Sequence, residues 1–244
     1  MDEDIKKSEA YSDVGNIIDK YKNFCFGIIS KVGYGRVPAW IAFTEGKMEE
    51  AFKERRTLTQ SIKDYYVLTV LNWLLTLIGF WYLVLIYGGL FAIMVPILAI
   101  ASPLIAAAVI IGVIAVLIFA PLVFFLLTGA LFHILARFFG GKGSYSDTLS
   151  VVVMHSAASL ILMIPIHLAY ATVIGMLISP LSYLVMFYGI YLFYKGMRHV
   201  HGMSSRDAAV AIIAGYVIEI GLGIAIGLAF YLLMFMYMIT SKGG

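Results

Sequence analysis

Ala136-Arg-Phe-Phe-Gly-Gly-Lys-Gly-Ser-Tyr-Ser-Asp-Thr-Leu149 is a short polar, glycine-rich break between two long apolar runs. Residues 65–137 hold no charge until Arg137, and residues 148–194 hold none. A membrane helix needs about 20 apolar residues, so the break reads as a loop joining membrane helices. Composition agrees: 62% of the residues are hydrophobic, 13% are charged and the mean hydropathy is +0.96. That is too apolar for a soluble domain of 244 residues. The fold class is therefore all-α, a polytopic integral membrane protein.

Working outward from the loop, the apolar runs divide into five transmembrane helices. The first covers about residues 65–90, followed by an uncharged turn or re-entrant segment over residues 92–103, which Pro96 and Ser102-Pro103 mark. The second covers about residues 104–136, with a kink expected at Pro121. Residues 148–194 give the third and fourth, divided at Gly175 and Ser179-Pro180, with Pro165 bending the third. Residues 206–239 give the fifth, longer than a bilayer requires. Arg137 and Lys142 lie between helices two and three, and Lys195, Arg198 and Arg206 between helices four and five, while the other connections carry no charge. Basic loops stay cytoplasmic, so the amino terminus is expected in the cytoplasm and the carboxyl terminus outside.

Residues 1–64 are expected to form a cytoplasmic amino-terminal region and residues 65–244 the membrane domain. Residues 1–12 read as a polar, mobile tail. Val14, Ile17, Ile18, Tyr21, Cys25, Ile28, Ile29 and Val32 recur at helical spacing, which predicts an amphipathic helix docked on the membrane domain or in the headgroup layer. A second amphipathic helix is predicted over residues 47–64, with Met48, Ala51, Phe52, Thr59 and Ile62 on one face and Glu49, Glu50, Glu54, Arg55 and Arg56 on the other. Met1 precedes acids rather than a basic segment and a short apolar core, so insertion is expected to rely on the first membrane helix. Cys25 is the single cysteine, which rules out an intrachain disulfide or a cysteine metal cluster. The net charge of +3 forms no basic stripe with interleaved aromatics, so nucleic acid is not an expected partner.

Two loops enter the next helix alike. Ser144-Tyr-Ser-Asp147 and Ser204-Ser-Arg-Asp207 share the form S-x-x-D, in which the serine oxygen accepts a first-turn N–H and the acid complements the helix dipole. Gly140-Gly-Lys-Gly-Ser144 has the residue types of a phosphate loop. Its spacing differs from G-x-x-x-x-G-K-[ST], because Gly143 separates Lys142 from Ser144 and no strand precedes it. It reads as a tight inter-helix turn, with a lipid phosphate as the alternative.

The sequence from Leu131 to Leu149, with Ala136-Arg-Phe-Phe-Gly-Gly-Lys-Gly-Ser at its centre, is followed two spans later by Tyr194-Lys-Gly-Met-Arg-His-Val-His-Gly-Met-Ser-Ser-Arg-Asp-Ala-Ala209. Together they resemble the Yip domain family, the Ypt/Rab-interacting membrane proteins, in its short prokaryotic form. The resemblance implies five helices, a cytoplasmic amino terminus, a prokaryotic cell membrane and a non-enzymatic role in membrane organisation or trafficking. It marks Arg137, Gly140, Gly141, Lys142, Gly143, Ser144, Asp147, Arg198, His201, Gly202, Ser204 and Asp207 as family-motif positions. Eukaryotic relatives act with Rab GTPases. This chain has no Asp-Leu-Tyr-Gly-Pro signature of those relatives, so GTPase binding rests on the resemblance alone.

Among the polar side chains inside apolar runs, Asn72, His155, His167 and Glu219 are the candidate intramembrane sites. A carboxylate in mid-membrane costs about 2.5 kcal/mol or more, so Glu219 must face protein or water. Gly215, Glu219, Gly223 and Gly227 repeat at four-residue steps, a narrow face suited to close helix packing and to homo-oligomers. His155 and His167 are about 120° apart around the helix, which is not a metal pair, and His199-Val-His201 has no third ligand. Asn72 is a candidate hydrogen-bond partner for Glu219 or a histidine. No catalytic set, metal site or cofactor is expected. Two functions follow: a scaffold or adaptor that recruits a cytoplasmic protein or acts on membrane lipid, and a small transporter or channel using Glu219 and the histidines.

Overall fold

A computed structural model describes residues 34–54, 56–79, 81–170 and 180–242, with Lys20, Asn23, Phe24, Gly27 and Thr172. Most of the amphipathic helix expected from Val14 onward, and the division expected at Gly175 and Ser179, lie outside these residues. Among the described residues all regular structure is helical, in eight segments: α1 Val37–Thr44, α2 Met48–Ala51, α3 Leu58–Gly79, α4 Trp81–Ala101, α5 Pro103–Phe138, α6 Tyr145–Tyr170, α7 Leu181–His201 and α8 Ser205–Lys242.

The core is built around α6. Leu149, Val151, Val153, Met154, Ala157, Ala158, Ile161 and Ile164 are all buried, because α3, α5 and α7 pack along α6 and α1 crosses its first half. Trp40 and Phe43 of α1 are fully buried in the same cluster. Helix α8 rests on α5 and α7, and α4 rests on α5. Helices α5 and α8 present long apolar surfaces instead, with Ile111, Val116, Leu127, Ile213, Leu222 and Phe230 exposed. Such surfaces are stable only against lipid.

Among the described residues, three segments are long and apolar enough to cross a bilayer: α5, α6 and Ser205–Leu233 of α8. The chain is thus an integral membrane protein. The expected count of five is not reached on length and composition. Tyr183, Tyr188, Tyr191, Tyr194, Lys195 and Arg198 dilute the apolarity of α7, as Lys63, Asp64 and Asn72 do that of α3.

The helices have a common face. Ser61 lies against Ser150 and Gly79 against His167, so α3 and α6 run parallel. His133 meets Thr148 while Pro121 shares a cavity with Met163, so α5 runs against α6. Helices α3, α6 and α8 therefore leave one face, and α5 and α7 return to it at Phe138 and His201.

Two expectations change. Residues 47–64 are not one helix. The single turn of α2 ends at Ala51, and α3 starts afresh after Thr57, whose hydroxyl accepts the Gln60 N–H while Gln60 Oε1 accepts the Thr57 N–H. Arg56, placed on the solvent side by that helical pattern, is 4% exposed. Nor are residues 92–101 a turn: α4 runs through Pro96 to Ala101. Apolar surroundings and neighbouring helices accommodate an interior proline that water-exposed helices reject. The break falls instead at Ser102, whose hydroxyl caps α5.

Candidate functional site

At the common face the two polar loops lock together. Helix α5 ends with Gly140 at φ +83°, and the Gly141 and Gly140 N–H groups return to the Ala136 and Arg137 carbonyls at 2.8 and 3.2 Å. That positive φ is why a glycine stands there. Helix α7 ends in the same way at Gly202, with the Met203 N–H on the Arg198 carbonyl. The Lys142 N–H then donates to the His201 carbonyl at 2.9 Å, which joins the two chain reversals. Arg137 Nη1 donates to the Gly141 carbonyl at 3.3 Å. A Cβ on Gly143 would lie 2.7 Å from His201 Nδ1, so this residue is excluded from having a side chain by the imidazole behind it.

Both exits are reciprocally capped. Asp147 Oδ2 accepts from the Ser144 N–H and hydroxyl at 2.8 Å each, and the Asp147 N–H returns to Ser144 Oγ. Ser204 and Asp207 repeat the hydroxyl–carboxylate bond at 2.6 Å. With the amides of Gly140, Gly141, Lys142 and Ser144 all engaged within the chain, the loop offers no amide cradle for a phosphate.

Beneath the loops a polar chain is buried. His201, 1% exposed, reaches Thr148 Oγ1 through Nε2 at 2.9 Å, and His133 Nδ1 reaches the same oxygen at 3.1 Å. His201 Nδ1 has no partner among the described residues. A bare lone pair costs less than an orphaned N–H, so His201 donates from Nε2 and stays neutral. Burial, helped by His133, pushes its pKa down to about 4. His199 instead stacks on Phe52 at the surface, so the two histidines of His199-Val-His201 face different environments.

A second buried cluster supports the same face. Arg56 Nε lies 3.6 Å from Asp64 Oδ2, the Tyr34 hydroxyl donates to Asp64 Oδ1, and the Arg56 carbonyl accepts from Ser146 Oγ at 2.7 Å. Burial and the Asp64 bond push the Tyr34 phenol up to about 12, and desolvation lowers the Arg56 guanidinium. Removing one member of such a pair typically costs about 3–5 kcal/mol. Sequence reasoning missed His133, Thr148, Tyr34 and the inward turn of Arg56. Only the cap at Thr57-Leu-Thr-Gln60 left a local signal that could have shown where α3 begins.

Around these supports the face is exposed and charged. Phe138 is 80% exposed, and Lys142, Arg198, His199, Gly202 and Ser204 are exposed too. A groove of about 660 Å³ lies between α2 and the end of α7, lined by Lys47, Glu49 and Glu50 on one side and Lys195, Arg198 and His199 on the other. Lys195 Nζ donates to the Gly46 carbonyl at 3.2 Å and the Tyr188 hydroxyl to the Thr44 carbonyl at 2.9 Å, which tie the amino-terminal helices to α7.

The intramembrane polar residues line two neighbouring cavities. One, about 470 Å³, holds Asn72, His155 and His167 among its lining residues. His155, Ser159, Met163 and His167 are four residues apart on α6, so the 120° between the histidines is the slow winding of one ridge. His155 Nδ1 donates to the Gly189 carbonyl at 3.1 Å and His167 Nδ1 to the Met163 carbonyl at 3.0 Å. Glu219 lines the other cavity, about 150 Å³, which His155 also lines. Its Oε1 accepts from Thr128 Oγ1 at 2.9 Å, so Thr128 and not Asn72 is its partner. Of the glycines spaced with it, Gly215 is pressed on the Phe132 ring, whereas Gly223 and Gly227 meet nothing within 4 Å.

A family model described as the Yip1 domain matches residues 65–228, more than half of the chain. The match includes both loops, both cavities and α6. No curated protein and no solved structure matches the chain.

Proposed function

The chain belongs to the Yip1 domain family, and from that premise we propose that it is a non-enzymatic membrane adaptor of the Yip type, acting in membrane organisation or trafficking. In this reading α3, α5, α6, α7 and α8 make five crossings, the loop face is cytoplasmic and the protein resides in a prokaryotic cell membrane. The face recruits a cytoplasmic protein, with a GTPase as the class the family resemblance brings, and it also meets lipid headgroups. The observation that carries the proposal is the rigid pairing of the two family-motif loops through Lys142 and His201, with Phe138, Lys142 and Arg198 exposed around it. Buried supports for an exposed, charged rim are what a docking surface needs. Affinity capture after crosslinking in native membranes tests it, comparing wild type with Lys142→Glu/Arg198→Glu. The glycines are left in place because they hold the turns. Loss of a reproducible set of partners is expected, and an unchanged set would exclude the rim as the recruiting surface.

The gathering of Asn72, His155, His167 and Glu219 around two adjoining cavities favours a second reading, a small transporter or channel. Proteoliposome flux with Glu219→Gln separates the two. Flux in wild type that the variant loses supports transport, and no flux in either form removes it.

A further inference from the structure

Between the start of α1 and the end of α2 lies a cleft of about 180 Å³. Its charged lining residues are Arg36, Lys53 and Arg56 with Glu50 and Glu54. Arg56 is the innermost: its side chain is 3% exposed, against 24% for Arg36 and 78% for Glu54. Its Nε is turned to Asp64 at 3.6 Å, and its Nη1 has no hydrogen-bond partner among the described residues. A buried guanidinium N–H without an acceptor is costly, so this one calls for an oxygen from outside the fold. The start of α1 adds to that demand. Arg36 stands at its N-cap without a side-chain cap bond, Pro38 has no N–H, and the Val37 N–H is taken by the Tyr34 carbonyl. Ala39, which carries the remaining donor of these first three positions, lines the cleft. Helix starts favour anions.

A carboxylate already stands at the mouth. Glu54 Oε2 lies 2.6 Å from Arg36 Nη1. Exposed ion pairs contribute little, so this one yields to an anion that gains more contacts. With Glu54 turned out to water, Arg36, Lys53 and Arg56 face Glu50 and, behind Arg56, Asp64. Three cations against two acids leave an excess of positive charge. The tetrahedral oxygens of a phosphate can reach two guanidinium groups and an ammonium at once, which a planar carboxylate does less well. The cleft has room for about six waters of ~30 Å³ each, hence for one phosphate group with part of its hydration shell. Arg56 lies two residues before Leu58, where α3 leaves the loop face, and in the proposed topology that is the level of lipid headgroups.

We propose that this cleft binds a phosphate group, held by Arg36, Lys53 and Arg56, and that Glu54 is its internal competitor. The site is separate from the adaptor rim of Phe138, Lys142 and Arg198. It deepens the lipid part of that reading by naming the headgroup chemistry, and a titration without partner capture lets the two fail separately.

Dioctanoyl phosphatidylglycerol is the probe and dioctanoylglycerol, which has the same chains without the phosphate, is its control. Both are titrated calorimetrically into the full-length protein in dodecylmaltoside. The phospholipid is expected to bind at least about tenfold more tightly than the control. Glu54→Gln, which removes the competing charge, is expected to tighten phospholipid binding by about threefold or more, and Lys53→Ala to weaken it by a similar factor. Glu49→Gln, which removes the same charge outside the cleft, is expected to change it by less than about twofold. Unfolding midpoints verify that the variants fold. Sodium phosphate then identifies the source. Phosphate that binds alone and displaces the lipid assigns the site to free phosphate, and lipid binding that phosphate does not displace assigns it to a headgroup. Equal affinity for the two lipids, no binding of either, or an affinity that Glu54→Gln leaves unchanged would overturn the proposal and assign Arg56 Nη1 to a buried water.

Discussion

At the residue scale, His201 carries the most. Its ring closes the space behind Gly143, its carbonyl fixes Lys142 and its Nε2 joins the Thr148–His133 chain. A free histidine takes up a proton near pH 6.5, whereas His201 in the fold does so only near pH 4. Between those values the unfolded chain holds the extra proton, so the stability due to neutral His201 is complete above about pH 6.5 and is lost as the pH falls toward 4. Arg137 opposes protonation and Asp147 favours it. Thermal unfolding in detergent, followed by the emission of buried Trp40, should show a lower midpoint at pH 5 than at pH 7.5. His201→Gln, which keeps a hydrogen-bonding group toward Thr148, should remove most of that drop. An equal drop in the variant would place the titration elsewhere.

Among the elements, the loops act as fitted connectors. Gly143→Ala would press a methyl group against His201 Nδ1 at 2.7 Å and the Val200 carbonyl at 2.8 Å, at a cost of about 1–3 kcal/mol. Gly140→Ala meets no neighbour but keeps φ +83°, which costs about 1–2 kcal/mol. Lys142→Ala, at an exposed side chain, should change stability by less than about 0.5 kcal/mol. Unfolding midpoints of the three variants test this order, and a destabilised Lys142→Ala would show that its side chain also holds the loops. These connectors were legible in the sequence because a cap or a left-handed glycine is decided within five residues. The same rule applied to Thr57-Leu-Thr-Gln60 would have set the start of α3. Pro96 misled because its turn signal is learned from helices in water. The Arg56–Asp64–Tyr34 cluster was not legible: Arg56 lies among the exposed charges of a pattern that ends as soon as the chain turns inward. His133 and Thr148 become partners of His201 only once α5, α6 and α7 have met.

Across the whole molecule, the alternation of charged and uncharged connections survives the revision of helix boundaries. In the proposed topology α3 leaves the loop face and α5 returns to it, so α4 adds no net crossing. With Cys25 replaced by Ser, Lys142→Cys should react with a membrane-impermeant maleimide only after the cytoplasmic side is opened, and a cysteine at Lys242 should react from outside. Reaction of Lys142→Cys in intact cells would invert the proposed orientation. The family membership and the membrane character were readable from two separated motifs and from the apolar runs. The cavities were not, since one forms where side chains of three helices converge and the other where those of five do.

The burial of α6 also sets an order of assembly. Two thirds of its most apolar 18-residue window is enclosed by protein, 67% against 6% for α5, yet it is synthesised before α7, which supplies one of its walls. Until α7 arrives, Ser159 and His155 have no Gly189 beside them, and the imidazole N–H lacks its carbonyl. Before α7 is in place, the ridge of His155 and Ser159 is a polar strip on an otherwise apolar helix. Helix α7 acts at that stage as the closing piece, and its Gly189 carbonyl completes the pairing of the His155 N–H.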